Sequence, residues 1–260
     1  MCPSNVASPS NSGAHTPRFD ELLGTDFDGE PTGDPDDVIC EGLDDARHRE
    51  RVPALVELMN DPAAPARERL LSCLALTTWA EPAGYEAVIT AAEAPRATPW
   101  YGVLTGRALP VDSTFAHLVV AVADSDDMAG QKGTAALRTE AFRALVRIAD
   151  GEYLGYLGSG PGEPLDPVVA GAVAQDMADA VARGAASLAA ARARARTPLG
   201  FGFDFDVLAQ LTALADAVAA VDARLGADLA GRLAEAGRAA DRDVRAGRPM
   251  PALRGDGLAG

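Results

Sequence analysis

Asp124, Asp126 and Asp127 stand together in the stretch DSDDMAGQKGT, followed by the flexible glycines Gly130 and Gly133. Three carboxylates on one turn could meet a basic partner, hold a cation if the backbone folds over them, or remain solvated. Trp100 and Tyr101, in TPWYG, are bulky aromatics in a segment full of helix breakers. They either fill core beneath a loop or form an interaction hot spot. Nothing completes a nucleophilic or metal centre. His15, His48 and His117 are scattered, and no HExxH or paired His/Asp spacing appears. Cys2, Cys40 and Cys73 form no CxxC pair, and their odd count argues against a disulfide scaffold. Cys73 occupies a small-residue core position and reads as an inert buried thiol. GSGPG at 158–162 lacks the lysine ending of a phosphate loop, and Lys132 in GQKGT lacks its upstream glycine spacing. Ser159 is not in GxSxG, because Leu157 replaces the first glycine. No catalytic residue, cofactor or metal is therefore assigned.

The elements that must position these groups are helices. In VPALVELMNDPAAPARERLLSCLALTTW, residues 52–79, Val52, Leu55, Leu58 and Met59 recur at three- and four-residue spacing, which puts them on one helical face. Asn60-Asp61-Pro62 ends that helix, since the residue before a proline is pushed out of the α region. After Pro65 the period resumes with Ala66, Leu70, Cys73, Leu74 and Thr77. Neither helix can bury its apolar stripe alone, so each needs the other and a further neighbour.

This stretch resembles a HEAT repeat, whose first helix reads x-P-x-L-x-x-x-L-x-D-P and whose second reads V-R-x-x-A-x-x-A-L. Pro53, Leu55, Asp61, Pro62, Arg67, Leu70 and Leu74 fall on those positions. A second match lies at Leu137-Arg138-x-x-Ala141-x-x-Ala144-Leu145, after a helix lined by Phe115, Leu118, Val119 and Val122. Asp61 and Arg67 are six residues apart, whereas Asp124 and Arg138 are fourteen apart, so eight residues enlarge the second turn. The resemblance implies that Arg67 and Arg138 form a structural ladder with Asp61 and Asp124. It also implies an all-α fold, a short right-handed α-solenoid, and a function in binding other macromolecules.

Along the chain, residues 1–19 read as a disordered tail rich in Ser, Pro and Asn, and 20–150 as the helical repeats. Asp34-Pro35 opens a capping helix as N-cap and first-position proline. Pro82 to Glu93 begins a degenerate second repeat, whose partner helix is shortened to around Trp100 to Arg107. Residues 151–167 form a Gly/Pro linker. The region 168–246 is helical, in a long stretch with a possible break at Gly184 and a pair parted by Gly226. The alternating Phe201, Phe203 and Phe205 anchor the loop before that pair, and 247–260 form a flexible tail.

Charge narrows the function. The chain carries a net charge of −15, and residues 20–50 hold twelve acids against Arg47 and Arg49. A phosphate-binding surface needs a basic patch, so nucleic acid is not the expected partner. The imbalance favours a basic protein partner for the front half, contact between the two ends of the chain, or plain solvation. Lys132 is the one lysine among 23 Lys and Arg residues, which points to a GC-rich bacterial-type genome. With no leader-like or membrane-spanning run, a cytoplasmic protein is expected. The reading is a non-catalytic protein-binding module, an adaptor, regulator or immunity-type inhibitor. The alternative is a HEAT-like enzyme acting on a small molecule or nucleobase through scattered carboxylates. Oligomeric state leaves no trace in the sequence.

Overall fold

The computed structural model describes residues 15–105, 111–155, 167–195 and 207–245. Among them the chain is helical, with no strand and two isolated bridges, Thr25 to Pro31 and Thr105 to Asp112. Local chemistry sets many of the boundaries. Helix α1 (Pro17–Leu23) starts on Thr16, whose side chain accepts from Phe19 N, and α2 (Pro35–Glu41) starts on Asp34, which accepts from Asp36 N. Both place proline at a first-turn position, where its missing N–H costs nothing. Helix α3 (His48–Asn60) stops at extended Asp61, before Pro62, and α4 (Ala66–Thr78) follows.

Then come α5 (Pro82–Glu93), a single 3-10 turn (Pro95–Ala97), α6 (Thr114–Asp124), α7 (Asp126–Lys132) and α8 (Ala135–Val146). The C-terminal part contributes α9 (Pro167–Ala195), α10 (Val207–Val221) and α11 (Ala223–Arg245).

Helix α4 lies at the centre, against α2, α3, α5 and α6. Helices α2, α4 and α6 follow one another in one row, and α5, α8 and α9 in a second. The expected helix from Trp100 to Arg107 does not form among the described residues: 99–104 are turns, and 106 and 107 lie outside the described residues. Asp112 ties this segment down, its Oδ2 accepting from Gly102 N and its Oδ1 from Thr114 N and Oγ1. With no partner helix after α5, α6 rests directly on α4 and α8 takes the place beside α5.

The C-terminal helices join this array and also close on themselves. Helix α9 packs on α8, and α9, α10 and α11 all touch one another. Gly184 does not break α9. It sits where an added Cβ would come within 2.2 Å of Leu211 Cδ1 of α10, so the glycine is a contact, not a hinge. The α10–α11 break falls at Asp222 instead of Gly226. Asp222 Oδ1 accepts from Arg224 N and Leu225 N as an N-cap, while Gly226 lies inside α11 against Ala219.

The folded body begins earlier than residue 20. Phe19 is fully buried, and the almost fully buried carboxylate of Glu68 accepts from Thr16 N at 2.8 Å and Thr16 Oγ1 at 2.7 Å. Of the Gly/Pro linker, residues 151–155 are anchored: Leu154 is buried and its N–H donates to Gln210 Oε1 of α10. Residues 1–14 of the tail, the linker from 156 to 166, the Phe201–Phe205 loop and the chain after 245 lie outside the described residues.

Close approach of α5 to α4 yields a test. A Cβ on Gly84 would stand 2.5 Å from Thr77 N and 2.7 Å from Leu76 C, backbone atoms that cannot step aside. Gly84→Ala should therefore destabilise the protein by about 1–3 kcal/mol, against the usual gain for Gly→Ala in a helix. Gly130→Ala in α7 meets nothing within 4 Å and should add about 0.5–1 kcal/mol. Urea midpoints of the two variants should move in opposite directions; a Gly84→Ala midpoint at or above wild type would refute the close approach.

Candidate functional site

The enlarged turn is a helix. Residues 126–132 form α7, with Asp126 and Asp127 exposed in its first turn and Met128 and Ala129 buried beneath it. Asp126 faces inward chemically: its Oδ1 pairs with Arg138 Nη1 at 2.7 Å. Arg138 also donates from Nε to Val122 O and from Nη2 to Ala123 O, and its guanidinium lies 5.2 Å from the Phe142 ring centre. The charged fork thus closes the carbonyl end of α6, a favourable place for a cation. Asp124 is half-buried, and Asp127 makes no ion pair among the described residues. Trp100 is buried with its Nε1 hydrogen unpaired. Tyr101 is half-buried and donates to Glu152 Oε2 at 3.1 Å. The carboxylates and the aromatics are thus held by different partners.

Between α3 and α4 the arginine that reaches the end of the first helix is Arg69, not the expected Arg67. No ion pair joins Arg67 to Asp61 among the described residues, and Arg67 Nε is buried without a hydrogen-bond partner. Asp61 Oδ1 instead accepts from Ala63 N. The carbonyl of Met59, next to last in α3, accepts from Arg69 Nε at 2.9 Å. Arg69 is the fourth residue of α4, as Arg138 is of α8. Aligning the two second helices from their first residues, rather than on the Val-Arg pattern, would have found it.

Lys132 is the centre of a dense polar cluster. The end of α4 turns through a Schellman pattern, Glu81 N bonding Leu76 O and Ala80 N bonding Thr77 O. Ala80 occupies the left-handed position, φ +57°, where glycine is usual. That turn points two carbonyls outward, and the segment after α7 and its last residue take both. Thr134 Oγ1 donates to Ala80 O, and Lys132 Nζ to Trp79 O at 2.7 Å. Lys132 also meets Glu81 Oε1 at 2.5 Å and His48 Nε2 at 3.0 Å, so its three hydrogens have three acceptors. His48 Nδ1 lies 2.7 Å from Asp45 O, and a carbonyl can only accept, so Nδ1 carries the hydrogen and Nε2 a lone pair. No sequence signal marked this cluster beyond the rarity of lysine itself.

A second polar corner joins the 95–104 turns to the segment after α8. Glu152 accepts from Tyr101, has Arg96 Nε 3.7 Å away, and is pushed above the ordinary carboxylate range chiefly by burial. Burial, then the charge of Glu152, also raises the Tyr101 phenol. Gln210 holds the backbone here, its Nε2 donating to Ala149 O and Glu152 O. The side chains with nucleophilic potential are sealed elsewhere. Burial pushes the Cys73 thiol up to about 12, and Tyr85 is committed to Ser125 Oγ at 2.6 Å. Cys40 is disulfide-bonded. Among the described residues no three His, Cys, Asp or Glu side chains are grouped to hold a metal ion, and no helix is long and apolar enough to cross a membrane.

The acids of the front half remain outside. Asp20, Glu21, Glu30, Asp36, Asp37, Glu41, Asp44 and Glu50 are exposed, and none makes an ion pair among the described residues. Arginines beside them are turned to internal work. Arg51 donates to Leu22 O, Thr25 O and Asp26 O and lies 4.2 Å from the Phe27 ring centre, while Arg47 is spent on Asp45, Asp28 and Phe27 O. Desolvation, then the charge of Asp34, pushes the Asp36 carboxyl up.

The arginine geometry predicts a ranking of stabilities. Arg138→Ala removes a buried fork with two carbonyl bonds and one carboxylate bond, and should cost about 3–5 kcal/mol. Arg69→Ala removes one charge-assisted bond and should cost about 1.5–3 kcal/mol. Arg67→Ala should cost least. Denaturant unfolding of the three variants checks the order, and a loss for Arg67→Ala equal to that of Arg138→Ala would contradict it.

Comparison with protein-family models, with curated proteins and with solved structures gave no match, so the function has to be read from the chain's own geometry.

Proposed function

We propose that this protein is a non-catalytic, HEAT-like helical module that binds a basic protein partner through the acidic face of α1 to α3. One observation carries the reading: eight of the twelve front-half acids are exposed and make no ion pair among the described residues, while Arg47 and Arg51 beside them are consumed by Asp28, Asp45, backbone carbonyls and Phe27. Such a face costs self-repulsion when free and repays it only when a cation arrives. A negative surface of this kind speeds encounter more than it tightens the final complex. An adaptor, a regulator or an inhibitor masking a basic toxin would each use it, and a cytoplasmic setting suits all three.

The competing enzyme reading rests on Glu152, whose raised carboxyl beside Tyr101 has the acid–base character that catalysis needs. The two readings part on simple variants. Asp36→Asn/Asp37→Asn/Glu41→Gln/Asp44→Asn should slow association with the native partner at least tenfold at low salt and flatten its salt dependence, with dissociation changed less. Thermal stability should hardly move, because exposed unpaired charges contribute little to it. Stopped-flow association at two salt concentrations gives the answer. Equal rates for this variant and wild type, with loss of function on Glu152→Gln, would favour the enzyme.

A further inference from the structure

We propose that His48 and Lys132 form an acid-released latch between α3 and α7, closed while His48 is neutral and opened when it takes up a proton. The argument begins from donors and acceptors. His48 Nδ1 is bound to a carbonyl and must keep its hydrogen, so the only site for a further proton is Nε2. That atom is the one that accepts from the Lys132 ammonium, 3.0 Å away. Protonation therefore removes an acceptor from Lys132 and places a second cation against it.

The surroundings offer little relief. His48 is 2 % exposed, with the Trp79 ring centre 5.2 Å from its own. The charged groups that face it are Lys132 of α7, Glu81 of the turn after α4, Asp45 in the turn before α3, and Arg49 on α3 itself. The Asp45 carboxylate is taken by Arg47, and Glu81 by Lys132. One carboxylate then serves two cations, and Arg49 adds to the repulsion. Burial, more than any charge, holds His48 below the ordinary histidine range.

The latch closes one end of a short helix. Seven residues cannot hold helical form alone in water, so α7 depends on docking. Its attachments are Lys132 and Thr134 at one end, Met128 and Ala129 beneath, and Asp126 on Arg138 at the other. Releasing the Lys132 end would uncover Trp79 O, Ala80 O and the buried face of Met128. The sign follows from linkage. The latched form binds the proton more weakly than the open form, so the latch is at full strength above the free-histidine pKa of about 6.5 and is lost as pH falls toward the depressed value. Across that window its opening constant rises by up to about tenfold per pH unit.

The test is hydrogen exchange of the full chain, read as protection factors for the amides of Ala129 in α7 and of Thr134 just after it, which bond Ser125 O and Ala129 O. From pH 7.5 to pH 5.0 protection there should fall about tenfold or more, while the α4 and α8 interiors hold. Glu81→Gln should keep the response and His48→Gln should flatten it. A flat wild-type profile overturns the proposal, as does a response that survives in His48→Gln or vanishes in Glu81→Gln. Should His48→Gln fail to fold, the His48 titration by NMR in wild type and Lys132→Met decides: removing the ammonium should raise its pKa, and equal values would overturn the latch.

Discussion

Every residue of α4 from Leu70 to Thr78 is buried, so this helix has no side that water can wet. A helix of that kind forms only when neighbours cover it all round. Helices α2, α3, α5 and α6 supply the cover, and each is 7 to 13 residues long, marginal or unstable alone. The dependence is mutual: the short helices gain a surface to bury against, and α4 gains its solvent. Small side chains on α4 let the cover come close. Ser72 Oγ turns back to Glu68 O, so its hydroxyl adds no unpaired polar atom, and Glu68 itself spends its carboxylate on Thr16. The front of the chain is thereby fastened to the central helix by a buried charge with its bonds satisfied.

The end of the same helix explains the enlarged turn. Placing Ala80 at a left-handed angle costs about 1 kcal/mol and leaves two carbonyls aimed away from the helix. Buried carbonyls need donors. Lys132 and Thr134 supply them, so α7 and the segment after it become necessary once this turn is present. The insertion also provides Asp126, which completes the bonds of Arg138. Two otherwise unsatisfied features, the α4 turn and the α6 carbonyl end, are resolved by one seven-residue helix.

Charge in this protein is divided by location. Arginines inside the body cap helix ends or clamp loops: Arg69 on α3, Arg138 on α6, Arg51 on the loop after α1, and Arg143 with Arg147 on Asp176 across α8 and α9. Eight of the twelve acids of the front half are left on the surface with no ion pair among the described residues. The net charge is therefore not spread evenly but concentrated where α1 to α3 meet solvent, and this is why the proposed partner is basic.

Sequence alone determined the helical class, because apolar spacing at three and four residues and proline–aspartate boundaries are local facts. Asp34-Pro35, Asp61-Pro62 and the α6 and α8 stripes were legible for that reason. The pattern also placed Arg138 at the start of a second helix. What tertiary structure decided lies wherever a residue's role depends on something far away in the chain. Gly184 and Gly226 look like breaks, yet the close passage of α10 makes them contacts. Thr16 reads as tail, yet a buried Glu68 some fifty residues on draws its helix in. Arg67 fits the pattern, yet Arg69 reaches the carbonyl, because helix rotation rather than motif alignment selects which side chain faces α3. Lys132, His48 and Glu81 carry no mark of one another in sequence. Only the packing of α7 across the end of α4 brings three ionisable groups to hydrogen-bonding distance.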